Sequence, residues 1–491
     1  MSNQTKEIIV VGGGTAGSVL AARLSEGQNY AVTLLEAGPD HEAYDDVALD
    51  PARATDVWGG GRLVDMTLMH TETGVIPMVQ GRILGGTSAL NGLATLRGQP
   101  FDYDGWAAAG LEGWAWADVE STFIAAERDV DFGSSPIHGD SGPLPVRRWR
   151  RDEHSRAQTA WLDGMAEIGV PFVADLNDPT QLPGYGVFPA TIDDDARRVT
   201  TSLAYLTPDV RARENLRIRT NAEVSRVIIE NGRATGVILT SGKAIMAEEV
   251  LVSVGAIWSP ILLMRSGIGP ADHLAEHGIP VQADLPVGAT MSDHLGPGFR
   301  YRHEGPRGGT GGPAQALLIG ASNGKEVDYH AFPVSSAPTT NPDTEFLMAV
   351  FLLRSSGRGS VRLGDTLDAA PNVTAPPMPD DVGERLRPAF DRLTAWEQTA
   401  AVRALGCERL EPQDLAAPDA VPIALENLTV SYGHMVGTCP MGTVLDADCR
   451  VLGIDGLRVA DASVMPTIPS GNTYLGCVMV AERIARKILE G

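Results

Sequence analysis

An α/β fold (α+β overall), with a parallel sheet and a second, antiparallel domain, follows from three stretches of this 491-residue chain. The first is the apolar run Ile8-Ile9-Val10-Val11, then the turn Gly12-Gly13-Gly14-Thr15-Ala16-Gly17, then Ser18–Ser25, whose Val19, Leu20 and Leu24 recur at helical spacing. The second is another apolar run, Ala31–Leu35, ending in Glu36-Ala37-Gly38. The third is a set of β-branched runs between Glu223 and Gly255. Val224–Ile229 and Thr235–Leu239 flank the hairpin signal Asn231-Gly232, and Ala244–Met246 and Glu249–Val254 follow.

A strand, a turn with Gly12, Gly14 and Gly17, and a helix make the G-x-G-x-x-G pattern of a dinucleotide-binding unit. The first glycine allows the tight turn, the second lets the backbone touch a pyrophosphate, and the third lets helix and strand pack closely. The phosphates belong at the helix N-terminus, where free N–H groups and the helix dipole favour negative charge. Glu36 lies nineteen residues past Gly17, at a strand's carboxyl end, where an acid accepts from ribose hydroxyls. A β-meander inserted into such a Rossmann-type domain is found in flavoproteins rather than in simple nicotinamide domains, which points to FAD.

Composition bounds the rest. With 43% hydrophobic and 21% charged residues the chain has a globular make-up, and its length predicts two domains. No window approaches 18 uninterrupted apolar residues. Met1–Glu7 lacks a basic region followed by an apolar stretch, so a cytoplasmic chain without signal peptide or membrane insertion is expected. A net charge of −23 argues against nucleic acid and anionic membrane as partners, since both need clustered Lys and Arg. The one basic cluster, Arg147–Arg151, reads as a solvated or inter-domain face. Cys407, Cys439, Cys449 and Cys477 form no C-x-x-C, so neither a metal site nor a disulfide framework is expected.

Asp45–Gly74 shows little periodicity and holds Gly59-Gly60-Gly61; it reads as a long excursion, a lid or a dimer arm. Gly81–Gly92 combines glycine pairs with small hydroxyls, which either lets a backbone approach a flat ligand or makes a tight turn at a domain edge. Trp106–Phe123 and Glu153–Ile168 have helical patterns, and Trp258–Ser266 predicts a helix with Pro260 in its first turn. Asn177–Asp195, rich in Asp, Pro and Gly, crosses between domains. Asp343–Leu353 and Ser360–Leu363 read as strands and Val382–Ala404 as helical, predicting an antiparallel sheet backed by helices. Near the C-terminus, Tyr432–Gly442 is punctuated by glycines and carries His434. Leu457–Ser463 is a strand running into Asp461, and Asn472-Thr473 precedes an amphipathic helix, Leu475–Leu489.

With these motifs the chain resembles the glucose–methanol–choline (GMC) family of FAD-dependent alcohol oxidoreductases. Gly81–Asn91 is similar to that family's first signature. Gly255–Gly269, reading GAIWSPILLMRSGIG, is similar to the second nearly letter for letter. The His434-x-x-Gly437-Thr438 and Val459-Ala460-Asp461-Ala462-Ser463 blocks match its C-terminal region. Within the family the pattern is most similar to choline-dehydrogenase-like, hydroxymethylfurfural-oxidase-like and pyridoxine-oxidase-like members. The stretch Pro297–Leu428 is generic.

The resemblance implies roles. Gly12, Gly14, Thr15, Ala16, Gly17, Glu36 and Ala37 hold the ADP half of FAD, and Val224 contacts adenine through its backbone. Arg82, Gly86, Ser88, Asn91 and Gly92 line the pyrophosphate and flavin. Gly255, Asp461, Ala462, Asn472 and Thr473 complete the cofactor site, with Asp461 at the ribityl-phosphate. His434 is the catalytic base and also meets substrate. Asn472 stands at the second catalytic position, usually His or Asn, and Tyr432 either lines the substrate pocket or packs in the core. His138, His294 and His330 read as structural. Leu90 occupies the place of a covalent flavin–histidine link in some members, so non-covalent FAD is expected. Where the family often reads Gly-x-Asn-Leu-x-Asp-His, this chain has Gly288-Ala289-Thr290-Met291-Ser292-Asp293-His294, which keeps only the final pair.

The expected FAD-binding domain is 1–150, 201–294 and 431–491; the substrate domain is 151–200 and 295–430. The expected activity is oxidation of an alcohol to an aldehyde or ketone. Hydride goes to flavin N5, His434 takes the hydroxyl proton, and Asn472 orients the substrate oxygen. O₂ or another acceptor reoxidises the flavin, and the chain is a monomer or homodimer without a metal. The alternative is an FAD-containing lyase of the same family, like a hydroxynitrile lyase, with no net redox.

Overall fold

A computed structural model describes residues 5–40, 44, 46–59, 64–335, 337 and 340–490. Five strands form the parallel sheet: β1 (Lys6–Val11), β2 (Tyr30–Leu35), β3 (Leu216–Arg219), β4 (Glu249–Val252) and β5 (Leu457–Val459). Their order is β5-β4-β1-β2-β3, and every neighbouring pair is parallel. Such a sheet is covered on both faces, so its central strands read as continuous apolar runs rather than alternating ones; Ile8, Ile9, Val10 and Val11 are all buried. The two ends of the chain share this sheet, and helix α1 (Thr15–Leu24) lies along the C-terminal helix α3 (Thr473–Glu490). The meander is present as Val224–Glu230, Arg233–Leu239 and Ala244–Met246.

Between β4 and β5 in the chain lies α2 (Gly255–Arg265), which starts three residues before the sequence reading. Pro260 therefore stands inside the helix rather than in its first turn. A helical proline removes the bond to the carbonyl four residues back. Here that carbonyl, of Ala256, accepts from Thr438 Oγ1 at 2.6 Å, so the C-terminal segment of the chain satisfies what Pro260 leaves open. The expected helix Trp106–Phe123 is two helices, Pro100–Ala108 and Trp116–Ala126. Gly110 and Gly113, at φ +92° and +81°, break it in a conformation that suits glycine.

A second, mostly antiparallel sheet runs Glu408–Arg409, Leu295–Arg302, Glu345–Leu352, Tyr329–Ser335, Ala316–Gly320 and Gly184–Val187, with Thr429–Ser431 added against Leu295–Pro297. Helices Arg156–Glu167, Val382–Glu397, Ala400–Leu405 and Ala420–Leu428 back it, around Phe299, Tyr301, Met348, Phe390 and Trp396. The Asp45–Gly74 excursion contains the 3₁₀ segment Pro51–Gly59 and the strand Val64–His70, which makes a hairpin with Val75–Gly81 and pairs with Asn372–Thr374; Gly60 and Gly61 lie outside the described residues. Among the described residues no helix is long and apolar enough to cross a membrane.

Candidate active site

The glycine turn after β1 is shaped by close contacts. Gly12 sits at φ +94°, and a Cβ on Gly17 would fall 1.8 Å from the Gly12 carbonyl oxygen. The third glycine is thus required by the approach of α1 to the turn. Gly86, at φ +54°, presses against the same turn, since its Cβ would lie 2.7 Å from Gly14 Cα. At Gly14 the situation is the opposite. A Cβ there would meet nothing nearer than Gly86 Cα at 3.8 Å, and one on Gly255 nothing within 4 Å. The N-terminus of α1 has no side-chain cap and no acid in its first turn. Thr15 and Ala16 therefore open a helix end suited to a phosphate, in a cradle whose glycines leave room for one.

Glu36 is buried directly after β2. Its carboxylate accepts from the backbone N–H of Gly13 at 2.7 Å and, across Ala37, of Gly38 at 2.8 Å. Burial pushes its pKa up to about 7 against those two bonds. A carboxylate has about four acceptor positions, so capacity for ribose hydroxyls remains. Arg82 pairs with Glu223 at 2.7 Å, beside Val224 at the start of the meander. Ser88 Oγ donates to Gly85 O and accepts from Thr201 N. Asn91 Oδ1 accepts from Leu93 N at 3.1 Å and from Arg198 Nη1 at 2.9 Å, and next to it Gly92 faces Pro313. Asp461 Oδ2 accepts from Gly255 N at 2.9 Å and Ser259 Oγ at 2.5 Å, while Oδ1 accepts from Ser463 N across Ala462. Asp461 thus ties β5 to the start of α2. Thr473 opens α3.

His434 and Asn472 come together although they are remote in sequence. Asn472 Nδ2 donates to His434 Nε2 at 3.2 Å. An amide NH₂ is a donor, so this Nε2 carries the lone pair and Nδ1 carries the proton of the neutral ring. That proton has a receiver: His434 Nδ1 lies 2.9 Å from His294 Nδ1. Asp293 aligns the pair from below. Its Oδ1 accepts from the backbone N–H of His294 at 2.8 Å and of His434 at 2.9 Å, and its Oδ2 accepts from Ser431 Oγ. Tyr432 stacks on His434 with ring centroids 4.0 Å apart, and on its other side Phe351 stacks at 4.3 Å. His330 Nδ1 reaches the Tyr432 hydroxyl at 3.4 Å.

Burial sets the charge state of this cluster. It pushes His434 and His330 well below the ordinary histidine value and His294 down to about 3. All three imidazoles are neutral at neutral pH. Asn472 Oδ1 is buried and, among the described residues, meets no donor at hydrogen-bond geometry. His294 and His330, read from sequence as structural, are therefore part of the constellation. The retained Asp293-His294 pair was the available signal for the first; His330, on a strand of the antiparallel sheet, had none. His138 belongs elsewhere, buried among Glu127, Asp129 and Asp175. Burial opposes its charge, but Asp175 and Glu127 outweigh it and hold the ring up to about 9. Among the described residues the acids there are also paired with Arg97 and Arg148, which makes the group a buried ion network.

Comparison with known proteins decides what this arrangement is. Two family models, both described as GMC oxidoreductase, match residues 6–296 and 354–481. The chain belongs to the GMC oxidoreductase family. A 5-(hydroxymethyl)furfural oxidase of Methylovorus sp. is 32% identical, over 100% of this chain and 99% of that protein. An oxygen-dependent choline dehydrogenase of Burkholderia thailandensis is 33% identical, over 99% of this chain and 94% of that protein. The crystal structure of pyridoxine 4-oxidase from Mesorbium loti superposes with a TM-score of 0.90 at 28% identity, covering 99% and 100% of the two chains. As a GMC oxidoreductase the protein is an FAD-dependent enzyme that oxidises the CH–OH group of an alcohol. The glycine cradle, the uncapped start of α1 and the buried Glu36 fit that cofactor. The lyase alternative is not favoured.

Proposed function

We propose that His434 is the general base of alcohol oxidation and that Asn472 holds the substrate oxygen. The observation that carries this reading is the 3.2 Å approach of Asn472 Nδ2 to His434 Nε2 in a buried, neutral cluster. Bound FAD supplies the acceptor for the hydride that leaves the alcohol carbon. The protein's part is the proton. A substrate hydroxyl placed between the two side chains donates to His434 Nε2 and accepts from Asn472 Nδ2, replacing the bond they make to each other. His294 accepts from His434 Nδ1 and so keeps the receiving nitrogen unprotonated between turnovers. Positioned general-base catalysis contributes on the order of 10²–10⁴-fold.

FAD is held without a covalent bond in this reading: Leu90, buried at the position of the histidyl link, has no nucleophile. The substrate is a neutral alcohol bearing a ring. The three neutral histidines and Asn472 offer uncharged polar atoms, and Asp293, the acid beside them, is engaged by three donors. Relatives named for hydroxymethylfurfural and for pyridoxine support a ring-bearing alcohol, while a choline dehydrogenase of equal identity makes choline the competing substrate to test. The antiparallel sheet supports assigning 151–200 and 295–430 to substrate binding, and 1–150, 201–294 and 431–491 to FAD.

A panel of benzylic, furanic and pyridine-ring primary alcohols beside choline, each assayed by peroxide formation and by a dye acceptor, tests the reading and distinguishes O₂ from another acceptor. Ring-bearing alcohols should turn over at least about tenfold faster than choline in kcat/KM, a difference of about 1.4 kcal/mol in barrier. Preference for choline would reject the substrate assignment.

A further inference from the structure

Three arginines are almost completely buried: Arg97 at 2% exposure, Arg147 at 1% and Arg198 at 2%. Arg97 is paired with Glu127 and Arg147 with Glu153. Arg198 has no carboxylate partner among the described residues. Its Nη1 donates to Ser88 O at 3.1 Å and to Asn91 Oδ1 at 2.9 Å, and its Nη2 to Asn91 O at 2.8 Å; Nε is buried without a partner among the described residues. The other polar groups whose charge it feels are Tyr44 and Tyr474, whose hydroxyls burial keeps neutral. Burial lowers the guanidinium only to about 10, so it is charged at neutral pH.

We infer that Arg198 is a positioning residue of the cofactor site, whose buried cation fixes the Asn91 amide as a donor and favours the anionic form of the flavin ring. The inference rests on the assignment of FAD to the Gly14–Gly86 cradle. Asn91 Oδ1 is filled by Leu93 N–H and Arg198 Nη1, so Asn91 Nδ2 is the atom left to donate outward. A cation buried against dipoles alone remains undercompensated until an anion arrives. The turn Arg198 holds, Ser88–Asn91, continues directly from Gly86, which presses on Gly14. Reduced flavin is an anion near neutral pH, whereas oxidised flavin is neutral. In the resting enzyme, before His434 has taken a proton, the buried histidines carry no charge, because burial keeps them neutral.

Sulfite tests this without substrate. It adds to the oxidised flavin ring and leaves that ring anionic, so its affinity reports nearby positive charge. Titration of purified holoenzyme, followed by loss of flavin absorbance, should give a complex in the wild type. Arg198→Lys should keep the dissociation constant within about threefold, and Arg198→Met should raise it about tenfold or more, as expected for loss of one charge in a low-dielectric site. FAD content is measured separately by absorbance after denaturation. A wild-type protein without FAD would reject the cofactor assignment itself. A yellow Arg198→Met enzyme with unchanged sulfite affinity would overturn the Arg198 inference alone. Should that variant lose FAD, Arg198→Gln takes its place. Should neither neutral variant retain FAD, the wild type decides: a sulfite complex supports the inference, and no complex at millimolar sulfite overturns it.

Discussion

His434 and Asn472, 38 residues apart in the chain, meet with Nε2 and Nδ2 at 3.2 Å. His434 hangs from the loop that Asp293 holds by its backbone, and Asn472 from the residue just before α3. The pair therefore joins the segment that lies against the antiparallel sheet to the helix that packs on α1. Alcohol chemistry needs those two atoms, one acceptor and one donor, on either side of one oxygen.

The bond from His434 Nδ1 to His294 Nδ1 fixes which nitrogen of the base is free. Replacing His294 by Phe removes the acceptor and leaves the Nδ1 proton of His434 buried without a partner, so both tautomers become accessible. We expect kcat/KM to fall about 10- to 100-fold, since a lost buried hydrogen bond costs roughly 1–3 kcal/mol, with FAD retained. His294→Asn, which can still accept, should recover part of the loss. Stopped-flow flavin reduction and absorbance of the purified variants provide the measurement, and wild-type reduction rates in His294→Phe would refute the role.

Because burial depresses the pKa of His434 and His294, the base is already deprotonated where an ordinary histidine would be half charged. The kcat/KM profile should stay flat on going from pH 8 down through about 6.5, the unperturbed histidine value, and fall only in more acidic solution. The stability linkage has the same sign. Below about 6.5 the unfolded chain takes up protons that these buried rings do not, so their contribution to stability is lost as pH falls. A kcat/KM inflection at or above 6.5, without a solvent or substrate cause, would contradict the assignment of a buried neutral base.

Gly14 and Gly17 belong to one motif yet predict different phenotypes. A methyl at Gly17 collides with the Gly12 carbonyl, so Gly17→Ala should lower the melting temperature or prevent folding. A methyl at Gly14 has room in the polypeptide, where the helix cap is already extended at φ −73°, but it projects into the space we assign to the pyrophosphate. Gly14→Ala should fold with little loss of apo stability and bind FAD about tenfold or more weakly. Thermal denaturation with and without added FAD separates the two effects. Equal FAD affinity in Gly14→Ala would place the cofactor elsewhere.

Legibility in the sequence followed the range of the interaction. The turn around Gly12–Gly17, the acid at Glu36 and the meander are local patterns, and each appears where its spacing placed it. Helix boundaries slipped where distant residues supply the missing bond, as when Thr438 completes the helix around Pro260. Gly110 and Gly113 divided one expected helix into two through their backbone angles. Residues joined only by tertiary contact were read least well. His294 and His330 carry no periodicity that marks them, and Arg198 shows its importance only once Ser88 and Asn91 are seen around it.

His434 is proposed to take the proton as the alcohol is oxidised on bound flavin. Anaerobic mixing of the holoenzyme with a benzylic alcohol, in wild type and in His434→Ala, tests it most directly through the bleaching of flavin absorbance. Rapid bleaching is expected in the wild type and a reduction rate about 10²–10⁴-fold slower in His434→Ala, with FAD content unchanged. A yellow His434→Ala enzyme that bleaches at the wild-type rate would contradict it.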